Sequence, residues 1–276
     1  AEAWITVTAH AHDPDLALHW PLDEGAGTIA HDRTPTRDDG VLGGSAALGP
    51  SGARGGCGVF DGQGRITAVT AIPVNRFTLT AWVWIPASCN GVRRLLVQRA
   101  TAGGDATLVN FAWELDNRVP RLWHHRGDQT RDLLTGPGVI PTDRWVSLAA
   151  TCDGASQQLW VDGVSVASRT AAPPVTVGPQ VLVAGDCPFT PGVDWNGRLD
   201  DVRIHTRVLS AAEISALAAD RDGRRSILLE PAPAGLLWEA DSTSPIQAYA
   251  WPDGRQEFRL APELPATLIL LPEGSQ

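Results

Sequence analysis

The chain has 276 residues, 43% of them hydrophobic, and a formal net charge of −9. This length is enough for one large β-sandwich, with or without a small extra unit. The negative net charge argues against nucleic acid or a membrane surface as a partner, because phosphate backbones and anionic lipids attract clustered basic residues. A membrane-spanning helix is not predicted either, since no apolar run reaches the roughly 18–20 residues that span a bilayer.

The first third of the chain predicts short strands around one long loop. Residues 16–22 place leucines and a tryptophan on one face with period two, the mark of a half-buried strand. The polar, glycine-rich stretch 23–56 is predicted to be a loop, and a strand follows near residues 66–69. Residues 77–85 are apolar on both faces, which is typical of a central strand.

The middle of the chain predicts a series of strands and two hairpins. One hairpin turns at Asn117-Arg118. The other turns at Asp162-Gly163, whose residue types suit a type I′ turn. The predicted strands are residues 94–99, 108–115, 119–125, 145–151, 157–161, 164–168, 181–185 and 199–205.

One helix is predicted after these strands. Ser210 and Glu213 have the spacing of a capping box, and an apolar stripe follows until the helix ends near residues 220–223. Residues 223–276 are rich in proline and predict a separate β-appendage of about four strands, with a hairpin at Asp253-Gly254. We therefore expect an N-terminal extension (1–15), a sandwich (16–222) and the appendage (223–276), and we expect a strand at residues 4–8 to pair with the appendage.

Several motifs follow one another between residues 16 and 220. They include His19-Trp20-Pro21-Leu22-Asp23-Glu24-Gly25, Gly58-Val59-Phe60-Asp61-Gly62, Phe77-Thr78-Leu79-Thr80-Ala81-Trp82-Val83, Leu159-Trp160-Val161-Asp162-Gly163 and Gly197-Arg198-Leu199-Asp200-Asp201-Val202-Arg203-Ile204. In these motifs and their order, residues 16–220 resemble bacterial laminin-G-like domains of the concanavalin A-like type. The resemblance implies an all-β fold, a two-sheet antiparallel jelly-roll sandwich with one short C-terminal helix; the β-appendage has no match.

The resemblance also implies a structural calcium ion between the N-terminal loop and the closing strand. The matching residues are Asp32 and Asp200, with Asp201 beside them. Carboxylate oxygens are the ligands that Ca²⁺ prefers, and one Asp on each segment would tie the long loop to the sheet. The alternative is that these carboxylates cap turns or form ion pairs with Arg33, Arg198 or Arg203.

A candidate ligand-binding face lies on the hairpin that turns at Asn117-Arg118. Strand alternation places five residues on its outer face: Glu114, Asp116, Arg121, Trp123 and His125. An aromatic ring among polar groups suits a sugar, because the ring stacks on C–H faces and the polar groups bind hydroxyls. The alternative is a cross-strand ion pair between Glu114 and Arg121 beside a partly covered tryptophan.

A second aromatic pair on one face is Trp82 and Trp84. These rings alternate with the core residues of the strand at 77–85 and share their face with threonines. They are either packed sheet residues or further platforms for a sugar.

Catalysis by this fold would need two carboxylates. Related glucanases carry Glu-x-Asp-x-Glu on one strand, and Glu114 and Asp116 match its start. The position of the second Glu is Arg118, which cannot act as the acid/base of a retaining glycosidase. The motif therefore predicts no glycosidase activity.

The four cysteines are Cys57, Cys89, Cys152 and Cys187. They form no C-x-x-C pair, so a zinc site or a thioredoxin-like site is not indicated. Their even number predicts two disulfides in a secreted protein. Buried free thiols are the alternative.

The function that the resemblance implies is that of a secreted, non-catalytic carbohydrate-binding domain. Its partners would be a polysaccharide or other glycan and a flanking catalytic domain of a polysaccharide-active enzyme. Two alternatives remain, since a fold does not fix a function. One is a structural or adhesive module that packs against a neighbouring domain, and the other is a glycoside hydrolase or lyase with an unfamiliar site.

Overall fold

The computed structural model describes residues 13–70, 72–73, 75–100, 109–126, 130–175, 180–186, 192–220, 225–229, 246–250 and 256–260. The chain divides into two compact units, residues 15–221 and residues 1–14 with 222–276. Within these ranges the larger unit contains two antiparallel sheets of eight strands each and one helix. The predicted all-β, two-sheet sandwich is confirmed.

The larger unit is built mainly from strands. In chain order they are β1 (Leu16–Trp20), β2 (Ile29–Ala30), β3 (Gly40–Gly44), β4 (Ala47–Arg54), β5 (Gly56–Asp61), β6 (Gly64–Ala68), β7 (Phe77–Trp84), β8 (Val92–Ala100), β9 (Val109–Asp116), β10 (Val119–His125), β11 (Arg131–Thr135), β12 (Trp145–Cys152), β13 (Ser156–Val161), β14 (Val164–Thr170), β15 (Gln180–Ala184) and β16 (Asn196–His205).

The two sheets are named here sheet one and sheet two. Sheet one has the order β14-β13-β12-β7-β16-β5-β4, and β1 also pairs with β16. Sheet two has the order β11-β10-β9-β8-β15-β6-β3-β2. The first and last strands of the unit are thus neighbours, with Leu18 opposite Ile204.

The core lies between the two sheets. In β7 the alternate residues Phe77, Leu79, Ala81 and Val83 belong to it, and β9 contributes Phe111, Trp113 and Leu115 from the facing sheet. The rings of Phe77 and Phe111 stack across the core with their centroids 5.0 Å apart. Burying a large apolar side chain of this kind stabilises the fold by roughly 1.5–3 kcal/mol.

The predicted loop over residues 23–56 is wrong in part, because it contains β2, β3 and β4. Glycines hide the strand pattern there. A Cβ atom on Gly40 would overlap Ile66 Cγ2 and lie 3.0 Å from Trp20 Cζ2, so close packing requires glycine in the strand. The short edge strand β11 was also not predicted.

The predicted turns and helix are confirmed. Asn117 and Arg118 have φ of 49° and 69°, and Asp162 and Gly163 have φ of 47° and 79°. Two successive positive φ angles are the signature of a type I′ turn. Helix α1 (Ala211–Ala219) begins after Ser210 with both hydrogen bonds of the capping box.

The disulfide prediction is not supported. Cys57, Cys89 and Cys152 are buried free thiols, and Cys187 lies outside the described residues. Burial raises the pKa of Cys57 to about 11, so this thiol stays protonated at neutral pH. The three cysteines act as small apolar residues of the interior.

The smaller unit contains a three-stranded sheet of order β17-β19-β18. Its strands are β17 (Arg225–Leu229), β18 (Ile246–Ala250) and β19 (Gln256–Leu260). The predicted strand at residues 4–8 and the turn at Asp253-Gly254 lie outside the described residues, although β18 and β19 pair antiparallel on either side of that turn. No helix among the described residues is long and apolar enough to cross a membrane.

Candidate functional site

The β9–β10 hairpin has the register that the sequence predicts. Asp116 pairs with Val119, Glu114 with Arg121, and Ala112 with Trp123. Strand alternation then places the five predicted ligand residues on the outer face of sheet two, because their neighbours Trp113, Leu115 and Leu122 lie in the core.

Glu114 is the centre of a buried polar cluster on this face. It is 2% exposed. Its Oε2 atom lies 2.7 Å from Nε of Arg94 and accepts a hydrogen bond of 3.2 Å from the indole N–H of Trp123. Its Oε1 atom lies 3.5 Å from Arg121. The ion pair between Glu114 and Arg121, given above as the alternative to a sugar site, is therefore present.

Trp123 does not offer an open face to a sugar, and its predicted role as a stacking platform needs correction. The ring is 3% exposed and packs against Val97, Val109 and Ala112. Guanidinium carbons of Arg94 and Arg131 lie 5.4 and 5.0 Å from its ring centroid. Cations at these distances are attracted by the π face. The ring therefore holds two arginine side chains in place and does not stack on a sugar.

The accessible part of the predicted face is the pair Asp116 and Arg121. Their side chains are 36% and 19% exposed and form an ion pair. Asn117 in the turn donates a hydrogen bond of 3.0 Å to Asp116. His125 is 5% exposed, and its Nδ1 atom has no hydrogen-bond partner among the described residues.

Asp32, the first predicted calcium ligand, is fully buried and surrounded by hydrogen-bond donors. Oδ1 accepts from the backbone N–H of His19 at 2.9 Å and of Thr34 at 3.0 Å. Oδ2 accepts from the hydroxyls of Thr34 and Thr36 and from the N–H of Asp38. These donors occupy the directions that a cation would take, so the carboxylate organises the segment between β2 and β3 and ties it to His19 of β1.

Asp201 is buried among cations. A β-bulge in β16 gives it φ of 49° and turns its side chain to different partners from Asp200. It forms ion pairs with Arg54 and Arg203 and lies 2.7 Å from His19 Nε2. Burial alone would raise the pKa of Asp201, but Arg203 and Arg54 hold it well below its usual range.

Asp200 has a different environment, and of the three predicted ligands it suits a cation best. It is fully buried; Oδ2 accepts a hydrogen bond of 2.8 Å from the N–H of Arg54, and Oδ1 has no hydrogen-bond partner within the described ranges. Burial, reinforced by the negative charges of Asp201 and Asp23, raises its pKa well above the ordinary value.

Asp23 is a functional candidate that the sequence argument missed. It follows β1 closely, and its Oδ1 atom accepts a hydrogen bond of 2.7 Å from the N–H of Gly56. The described residues contain no cluster of three or more acidic, histidine or cysteine side chains that could hold a metal ion. A calcium ion bound by Asp23 and Asp200 would therefore need backbone carbonyls and water as further ligands.

Solved structures with the same fold include a domain of an arabinanase and a sialidase. Domain 4 of AbnA, a GH43 extracellular arabinanase from Geobacillus stearothermophilus, in complex with arabinotriose, is 22% identical with a TM-score of 0.58, over 74% of this chain and 98% of that domain. The sialidase of Trypanosoma rangeli in complex with the inhibitor DANA is 20% identical with a TM-score of 0.52, over 74% of this chain and 32% of the sialidase.

The receptor-binding domain of botulinum neurotoxin type G is 12% identical with a TM-score of 0.55, over 75% of this chain and 52% of that domain. At these identities the likeness establishes the fold alone. A comparison with curated proteins finds no match.

The profile of the family described as the concanavalin A-like lectin/glucanases superfamily matches residues 60–215, which is more than half of the chain. The matched region runs from β5, through both sheets and the β9–β10 hairpin, to helix α1. The chain therefore belongs to the concanavalin A-like lectin/glucanase superfamily.

Proposed function

We propose that this protein is a secreted, non-catalytic carbohydrate-binding domain that serves a polysaccharide-active enzyme. Such a domain binds the polymer and raises its local concentration near a flanking catalytic domain. The proposal rests on the family, on the arrangement of polar groups at the β9–β10 hairpin and on one structural neighbour.

The observation that carries the proposal is the fixed polar rim formed by Asp116 and Arg121. Behind it, the buried Glu114 is held by Arg94 and by the indole N–H of Trp123. Groups that are already held in place lose little conformational freedom when a ligand binds. A carboxylate and a guanidinium that remain partly exposed offer acceptors and donors for sugar hydroxyls.

The arabinanase domain gives this proposal a first ligand to test. It is matched over 98% of its length and was solved with arabinotriose. Arabinotriose and the polymer arabinan are therefore the first probes.

Binding without catalysis fits the charges around Glu114. A retaining glycosidase needs two accessible carboxyls about 5 Å apart, one of which donates a proton. Glu114 is 2% exposed and lies between two arginines. The position of the second catalytic Glu is the basic residue Arg118.

The test is affinity electrophoresis of the full chain in native gels that contain arabinan, xylan, mannan or a mixed-linkage glucan. We expect the protein to be retarded by at least one polymer and Arg121→Ala to be retarded less. Arg76→Ala removes an exposed arginine just before β7, a strand of the other sheet, and is the matched control. Equal mobility of the wild-type protein with and without every polymer would contradict the proposed function.

We further propose that Asp200 and Asp23 hold the structural calcium ion. The support is the buried Oδ1 atom of Asp200, which has no hydrogen-bond partner among the described residues, and the pKa of Asp200, which burial and then the charges of Asp201 and Asp23 raise. A cation there would neutralise two close carboxylates. It would also join the loop after β1 to the closing strand β16.

A further inference from the structure

The described part of the chain has eight tryptophans with known burial, and six of them are buried. The two half-buried ones are Trp84 and Trp145. They lie directly opposite each other on the neighbouring strands β7 and β12. Both point to the outer face of sheet one, because their strand neighbours Val83 and Val146 belong to the core.

A third residue, on the neighbouring strand β16, extends this pair into a row of three: Trp145, Trp84 and Arg198. Arg198 of β16 is the register partner of Trp84, and its guanidinium carbon lies 5.1 Å from the centroid of the Trp84 ring. Arg198 is itself half-buried. The cation–π contact orients a group with five N–H donors beside two aromatic rings.

Polar side chains border this row on its outer side. Asn196 and Asp61 are register partners of each other, two residues beyond Arg198 and Val59. Both are exposed, and strand alternation places them on the same face as Arg198. The surface thus combines half-buried indoles with an amide, a carboxylate and a guanidinium.

The width of this row fits a sugar better than a protein partner. Neighbouring strands are about 4.8 Å apart, so two indoles side by side cover a strip of roughly 10 Å, which matches one or two sugar rings. A specific protein partner usually covers about 800 Å² on each side with an apolar centre. Two rings bordered by exposed Asn196 and Asp61 are too narrow for that.

We propose that Trp84, Trp145 and Arg198 form a second glycan-binding site, on the outer face of sheet one. Trp145 stacks on the C–H face of a neutral sugar ring. Trp84 holds Arg198 in place through the cation–π contact, and Arg198 and Asn196 bind hydroxyls. This inference rests on the proposed carbohydrate-binding function and adds a second contact to it. Because the polar rim at Arg121 lies on the outer face of the other sheet, one short oligosaccharide cannot reach both sites.

The test is isothermal titration calorimetry of the full chain with arabinotriose, together with the arabinan gels. We expect two molecules of arabinotriose per wild-type chain and one per chain for Trp145→Ala or Arg121→Ala. In the gels, Trp145→Ala weakens binding of arabinan about tenfold or more, as truncation of an aromatic anchor does. Trp145→Phe keeps a ring at the surface and is expected to restore most of the binding.

Melting curves and far-UV circular dichroism of the variants show that the fold is retained. If Trp145→Ala binds arabinotriose with the stoichiometry and affinity of the wild type, the second site is wrong while the proposed function stands. If the wild type binds none of the sugars, both are wrong. If Trp145→Ala instead converts a dimer to a monomer in sedimentation, the row is a contact between copies of the chain and the site is also wrong.

Discussion

Gln157 of sheet one donates a hydrogen bond of 2.7 Å to Nδ1 of His124 in sheet two. His124 is fully buried, and its Nε2 atom lies 2.8 Å from the carbonyl oxygen of Ala172. Nδ1 therefore accepts and Nε2–H donates, which requires the neutral imidazole. A neutral histidine thus joins the two sheets.

This arrangement predicts a pH dependence of stability. Burial lowers the pKa of His124, and Arg169 and Arg126 act in the same direction, whereas the carbonyl of Ala172 and the charge of Asp132 oppose it. The unfolded chain therefore binds the proton more readily than the folded one. The free energy of unfolding is highest above the unfolded pKa of about 6.5 and decreases as the pH falls from there towards the folded pKa.

The measurement is urea unfolding between pH 5 and 8 for the wild type and His124→Gln. The glutamine keeps an amide near Gln157 but cannot titrate, so we expect a flatter profile below about pH 6.5. His31→Gln, at a histidine whose side chain is 46% exposed, is the matched control. An identical slope for His124→Gln and the wild type would show that this histidine does not titrate differently on folding.

The proposed calcium site predicts a stability change on chelation. A ligand that binds only the folded state at 100 times its Kd adds about 2.7 kcal/mol, or roughly 5–10 °C in melting temperature for a domain of this size. We expect EDTA to lower the melting temperature and Ca²⁺ to restore it in the wild type. Asp200→Asn should lose this response, whereas Asp32→Asn should keep it, since the oxygens of Asp32 already accept hydrogen bonds.

Without calcium, the raised pKa of Asp200 has the opposite consequence to that of His124. The folded chain binds the proton more tightly than the unfolded one, so stability decreases as the pH rises from the unfolded value of about 3.9 towards the folded pKa. In EDTA, Asp200→Asn should therefore become more stable relative to the wild type as the pH rises. A constant difference between the two proteins would contradict this assignment.

The sequence predicted the β9–β10 hairpin well because its information is local. Asn117 and Arg118 mark the turn, and the turn fixes which residues face each other on both strands. The burial of Trp123, in contrast, depends on residues of other strands. It depends on Arg94 in β8 and on Arg131 in β11, and the charged sequence of β11 shows no period-two pattern.

The candidate sites also depend on contacts that the sequence alone does not predict. Asp200 and Asp201 are adjacent in sequence, yet the bulge gives Asp201 three basic partners, whereas one oxygen of Asp200 has no hydrogen-bond partner in the part of the chain that the structure describes. Trp145 stands opposite Trp84 only because β7 and β12 are neighbours across 60 residues of chain. Such pairings depend on sheet order, which the spacing of residues does not reveal.

Arg54 is predicted to be an important stabilising cation. It is 6% exposed, forms ion pairs with Asp201 and Asp220, and its Nε donates a hydrogen bond of 2.7 Å to the Asp220 carbonyl. Removing Arg54 takes away one of the three basic partners of the buried Asp201, but Arg203 and His19 remain beside it, so the cost is about 1–3 kcal/mol, below that of an uncompensated buried charge. We expect a loss of this size for Arg54→Met in chemical unfolding.

The control for Arg54 is an exposed ion pair. Arg144 and Asp162 lie 3.0 Å apart with side chains 47% and 35% exposed, and such pairs contribute about 0–1 kcal/mol. Arg144→Met should therefore change the free energy of unfolding by less than about 1 kcal/mol. A similar loss for both variants would mean that burial does not set the cost.

Gly40→Ala tests whether glycine is required inside β3. The added methyl group would overlap Ile66 Cγ2 and approach the Trp20 ring, and both are core residues that cannot move freely. Overpacking of this kind costs about 1–3 kcal/mol, which chemical unfolding measures. Gly138→Ala places its methyl group where no atom lies within 4 Å, so its stability should match or slightly exceed the wild type. Equal stability of the two variants would show that the core near Trp20 has room for a methyl group, and that close packing does not require glycine at position 40.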